Sequence, residues 1–167
     1  MFKDTKHVEV FKCFREISDI PRGSGNEKAI ADFLVEFAAT RGLYCVRDDA
    51  NNVFIRKAAS SAELANTAPV VLQGHTDMVC EADAGIDHDF LKDPIEFIRN
   101  GDVLTANGTT LGADNGVALG VSIVIEVVFE VQLTVNIASY KCACNLNFNF
   151  ICSSRFNGEI CVSSKNF

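Results

Sequence analysis

No apolar run in these 167 residues is long enough to span a membrane; the longest, Val117 to Val128, is broken by Gly120, Ser122 and Glu126. The N-terminus, MFKDTKHVEVFK, lacks the uninterrupted apolar core of a secretion signal, so a cytoplasmic protein is expected. Basic charge is scarce. Fifteen Lys and Arg against 22 Asp and Glu leave −7, which argues against a nucleic-acid partner, since that needs clustered cations to displace counterions. There is no internal repeat and no C-x-x-C pair. The seven cysteines, an odd number, read as reduced and mostly buried thiols. What remains is a soluble globular composition, 48% hydrophobic and 22% charged, in a chain long enough to bury one core.

The chain divides into two parts of unequal character. Residues 1–120 hold 19 acidic and 12 basic side chains; residues 121–167 hold three of each and have no Asp, His or Pro. Four of the seven cysteines (Cys142, Cys144, Cys152 and Cys161) lie in this second, Asn/Phe/Cys-rich part. Such a shift marks a boundary of domain or of origin, and a frame-shifted or misassembled tail would produce it. A zinc knot of the four cysteines is the rival explanation, but structural sites favour C-x-x-C and this tail offers C-x-C.

The first part follows an α/β pattern. Val8, Phe11, Phe14 and Ile17 fall at helical spacing behind Asp4 and Thr5, two candidate caps. Pro21 to Gly25 breaks the pattern, and Ile30, Phe33, Leu34, Phe37 and Ala38 begin a second amphipathic helix that stops at Gly42. Leu43 to Arg47 and Val53 to Lys57 predict two strands joined by a polar turn. Val70, Val71 and Leu72 predict a strand buried on both faces, and Asn100-Gly101 predicts a hairpin. Helices alternating with strands imply a layered α/β architecture.

Two short segments could carry chemistry. Gln73-Gly74-His75-Thr76-Asp77 begins where the buried strand ends, the side of an α/β sheet where ligands bind. A neutral imidazole there suits zinc, and a carboxylate two residues on can accept its other N–H; a His and Asp that merely bond a turn would look the same. Gly108 to Gly116 (GTTLGADNG) puts three glycines in nine residues around Asp114. In such a loop a carboxylate can bridge two metal ions about 3.5–4 Å apart, or can simply cap a helix. His88, between Asp87 and Asp89, reads as part of a solvated loop, and His7 as structural or exposed.

Taken together, VVLQGHTDMV (70–79), HDFLKDPI (88–95) and GTTLGADNGVALG (108–120) closely resemble the aminoacyl-histidine dipeptidases, cytosolic non-specific dipeptidases of the co-catalytic zinc peptidase group. The resemblance covers roughly residues 10–120, with order and spacing kept. It implies part of a zinc-peptidase catalytic domain with a mixed sheet flanked by helices. It also implies that His75 binds one metal, that Asp77 clamps its imidazole, and that Asp114 bridges two zinc ions, with cobalt or manganese as alternatives. The implied reaction is attack of a metal-activated water on a dipeptide with a free amino end, a glutamate acting as general base. The implied partners are the dipeptide and, through a second domain, another copy of the chain. An amidohydrolase or deacetylase of the same zinc group is the related alternative.

The chain departs from that pattern after Asp114. The family needs an adjacent Glu-Glu pair, a further Asp and a distant His; no Glu-Glu occurs here, and beyond residue 120 Asp and His are absent. One His and one Asp do not close a two-metal site, so weak zinc binding and an inactive or partner-binding remnant are the competing expectation. Val121 to Val128 is dense in β-branched residues, which argues against the helix the family places there. Phe129 to Val135 resembles the family's next strand. Uncovered apolar faces and open sheet edges predict self-association.

Overall fold

The computed structural model describes residues 2–3, 7–59, 61–128 and 133–138, with 125–128 and 133–138 described by their backbone alone. The tail beyond residue 138, with its four cysteines, lies outside the described residues.

Helix α1 (Val8–Ser18) buries Phe14 and Ile17 completely, as their spacing requires. It starts after His7, whose side chain makes no capping hydrogen bond; Asp4 and Thr5 are not among the described residues. Helix α2 (Lys28–Thr40) buries Ile30, Ala31, Leu34, Phe37 and Ala38. It ends in paired main-chain bonds, from Gly42 N to Ala39 O at 3.1 Å and from Leu43 N to Ala38 O at 3.0 Å. That closure needs a left-handed residue, and Gly42 has φ +64°.

Strands β1 (Tyr44–Arg47) and β2 (Val53–Lys57) form an antiparallel hairpin. Asp48 holds the turn, its Oδ1 accepting from the backbone of Ala50 and Asn52 at 3.0 and 2.8 Å. Val53 and Ile55 face α2 and α3 from one side of the sheet, joining Ile30, Leu34, Leu119 and Ile123 in the larger core cluster. Each such fully buried aliphatic side chain contributes about 1.5–3 kcal/mol.

Strand β3 (Val70–His75) stands at the end of the four-stranded order β1-β2-β6-β3. β6 (Leu133–Ala138) runs antiparallel to β2 and parallel to β3, so the sheet is mixed. The expectation that the β3 run is buried on both faces is not met: Val70 and Val71 are 47% and 52% exposed. Val70 and Val71 point to opposite faces and both are exposed, so neither face is covered at the start of this end strand. β4 (Phe97–Asn100) and β5 (Val103–Ala106) make a separate hairpin. Its turn is Gly101-Asp102, because Asn100 still pairs with Val103; Gly101 supplies the positive φ, +62°.

Helix α3 (Ala113–Val128) forms despite its β-branched content. The propensity cost is a few tenths of a kcal/mol per residue, and burial of Leu119 and Ile123 exceeds it. Glycines four apart also bring α3 close to α1. A Cβ on Gly116 would lie 2.6 Å from the Phe14 ring, and one on Gly120 would lie 3.1 Å from Val10 O. Helix and β6 together carry the ordered fold past residue 120.

Candidate functional site

His75 is the last residue of β3, and Asp77 lies two residues beyond it. The imidazole Nδ1 is 3.1 Å from Asp77 Oδ1 and 3.1 Å from Asp77 O. An ionised carboxylate only accepts, so Nδ1 carries the proton and donates. Asp77 has a side chain only 3% exposed, and its second oxygen accepts from Ser24 Oγ at 2.6 Å. Burial works to raise the Asp77 carboxyl, but the hydrogen bonds from His75 and Ser24 outweigh it and hold the group below its ordinary range. The same bond to Asp77, opposed by burial and helped by Asp114, raises the His75 imidazole.

Asp114 sits in the first turn of α3 with non-helical backbone, φ −90° and ψ 104°. Its side chain is 63% exposed and points across to β3, placing Oδ1 3.2 Å from His75 Nε2. The two segments singled out in the sequence therefore converge on one spot. His75 presents one nitrogen to Asp77 and the other to Asp114.

Sequence reasoning missed what holds the two segments together. Arg22, in the breaker after α1, is 1% exposed. Its Nη1 donates to Thr76 O at 2.9 Å and to Asp77 O at 3.4 Å, and its Nη2 donates to Gly112 O at 2.6 Å. Burial pushes the guanidinium down to about 10, against the pull of Asp77 and Cys80. Ser24, in the same breaker, was missed as well. Nothing in periodicity distinguishes such residues from solvated loop positions.

The glycines have particular reasons. A Cβ on Gly74 would lie 2.7 Å from Asn115 Nδ2, so the β3 end and the α3 start approach too closely for a side chain. Gly112 has φ +67°, and a Cβ there would meet Arg22 Nη2 at 2.5 Å and Met78 Sδ at 2.7 Å.

His88 takes no part in this cluster. Its ring packs edge-on against Phe90, with centroids 4.4 Å apart, and borders a separate hollow of about 600 Å³ beside Arg15, Asp19 and Phe97. His7 is exposed at the start of α1. Among the described residues no three His, Cys, Asp or Glu side chains gather where they could hold a metal ion. No helix of these residues is long and apolar enough to cross a membrane.

No protein-family model matches the chain. Over 110 residues, 66% of its length, it is 42% identical to the cytosol non-specific dipeptidase of Escherichia coli K12, of which it spans 22%. Its fold superposes on the crystal structure of aminoacylhistidine dipeptidase from Vibrio alginolyticus with a TM-score of 0.78 and 34% identity, covering 86% of this chain and 30% of that one. A Staphylococcus aureus tripeptidase shares the fold at a TM-score of 0.62 and 21% identity, covering 78% of this chain and 36% of that one. In sequence and in fold together, this chain is similar to the aminoacyl-histidine, or cytosol non-specific, dipeptidases, and it spans less than a third of their length.

Proposed function

We propose that His75 and Asp114 are metal ligands, with Asp77 orienting the imidazole, in a centre of dipeptidase type whose substrate is a dipeptide with a free amino end. One juxtaposition supports this most directly: His75 Nε2 faces Asp114 Oδ1 at 3.2 Å while its Nδ1 is held by a buried carboxylate. With Nδ1 fixed as a donor to Asp77, loss of the Nε2 proton leaves a lone pair on the Asp114 side, and imidazole plus carboxylate is a donor pair suited to zinc, cobalt or manganese.

The donor set fits one side of a metal site and does not close it. Two donors fall short of the four that zinc takes, and the described residues bring no third to the spot. A general base and further ligands have to come from outside this set. That shortfall favours a second reading, a folded remnant that retains the ligand pair without turnover.

The test adds zinc, cobalt or manganese to the purified chain and follows both metal binding and hydrolysis of a Xaa-His dipeptide. Binding that is lost in His75→Ala and in Asp114→Ala is expected. Turnover abolished by His75→Ala would extend the proposal to a working catalyst, while bound metal without turnover would assign the remnant role. Binding unaffected by either substitution would overturn it.

A further inference from the structure

We propose that Arg22 is the positioning residue of this site: its guanidinium ties the loop after β3 to the glycine loop before α3 and so sets the separation of His75 and Asp114. The inference rests on the metal-ligand proposal only for its effect on affinity; the geometry stands by itself.

The two segments are also tied further along, where Thr110 bonds Val79 O and Glu81 O at 2.7 and 2.9 Å and Asp83 N bonds Gly108 O at 2.8 Å; Arg22 makes the link nearer to Asp114, at Thr76 and Gly112. Arg22 is joined to the β3 side through its own carbonyl, which accepts from Met78 N at 3.0 Å, and through Nη1 on Thr76 O and Asp77 O. Only its Nη2 reaches the other side, at Gly112 O, two residues before Asp114. A guanidinium is a rigid planar fork, so fixing one nitrogen on Thr76 fixes where the other points. A lysine ammonium, a single point on a flexible stem, cannot hold both acceptors at that spacing. Gly112 and Gly116 leave room for this fork: a Cβ on either would lie 2.5 or 2.7 Å from Nη2. Arg22 Nε is buried with no partner among the described residues.

The chain has three histidines, and two of them, His7 and His88, lie outside the cluster and serve as internal controls. Imidazole ring signals are recorded by 15N–1H correlation NMR on the full chain without metal, then with added Mn2+, whose paramagnetism broadens nearby protons. Arg22→Met removes the donors at similar volume, and Arg22→Lys keeps the charge without the fork. In both variants the His75 ring nitrogens should move toward solvent-exposed values while His7 and His88 stay put. The Mn2+ concentration that half-broadens His75 should rise roughly tenfold to a hundredfold. A purely structural role would lower the melting temperature and leave the metal-free His75 signals where they are; that result, or folding of neither variant, overturns the inference. If Mn2+ never broadens His75 in the parent chain yet the metal-free signals shift in the variants, the metal-ligand proposal fails and the positioning role of Arg22 stands.

Discussion

Replacing Asp77 with alanine removes both acceptors that organise the β3 end at once. His75 Nδ1 loses a partner at 3.1 Å and Ser24 Oγ one at 2.6 Å, in a pocket where the carboxylate is 3% exposed. A hydrogen bond to a charged group contributes about 1.5–3 kcal/mol, offset in part here because a buried charge also disappears. A net loss of about 2 kcal/mol follows, which lowers the melting temperature of a chain this size by roughly 4–8 °C. Asp77→Asn keeps the shape: its oxygen can accept from His75 while its amide donates to Ser24 Oγ, so the loss should be about 1 kcal/mol. The larger effect falls on metal binding. With only the main-chain carbonyl of residue 77 left to accept from Nδ1, the imidazole is held less firmly and its proton can move to the nitrogen that faces Asp114. Calorimetric zinc titration should show affinity reduced roughly tenfold to a hundredfold in Asp77→Ala and less in Asp77→Asn. Unchanged affinity in Asp77→Ala, with the expected drop in melting temperature, would refute the orienting role.

Gly112→Ala should destabilise the chain by about 1–3 kcal/mol in thermal or urea unfolding, because the new methyl overlaps Arg22 Nη2 and Met78 Sδ at a φ of +67°. The Cys13 thiol is pushed up to about 11, by burial first and then by the charges of Glu16 and Glu9. Its folded value lies above its ordinary 9.0, so the stability it contributes is full below pH 9 and is lost as pH rises through about 11. The melting temperature should therefore fall more steeply between pH 9 and 11 in the parent chain than in Cys13→Ala. Val70 and Val71 are exposed on β3, whose outer edge carries no strand among the described residues. Sedimentation should show concentration-dependent self-association that Val71→Lys reduces; a monomer at every concentration would contradict this.

Much of the fold was legible because burial imposes period. The Ile30 to Ala38 stripe and the Val53/Ile55 alternation each turn one face of an element to one core, which Ile17 joins, while Phe14 on the same helix packs into a second core with Met78, Ile95 and Phe97. What periodicity could not show is how many neighbours an element has, which is why β3 was expected to be covered on both faces. Nor could local propensity foresee α3, where Gly116 and Gly120 admit α1 at backbone distance and the buried Leu119 and Ile123 outweigh the β-branched cost. His75, Asp77 and Asp114 were visible as types of donor in suggestive loops, and the structure brings all three into one hydrogen-bonded line. Arg22 and Ser24 were not visible, since their roles depend on carbonyls and carboxylates more than fifty residues away.

The most direct measurement is anomalous diffraction at the zinc edge from crystals of the full chain soaked in zinc. A peak bounded by His75 Nε2 and an Asp114 carboxylate oxygen, each at about 2.0–2.2 Å, is the expected result. Zinc held elsewhere, or held by His75 with Asp114 turned away, would contradict it.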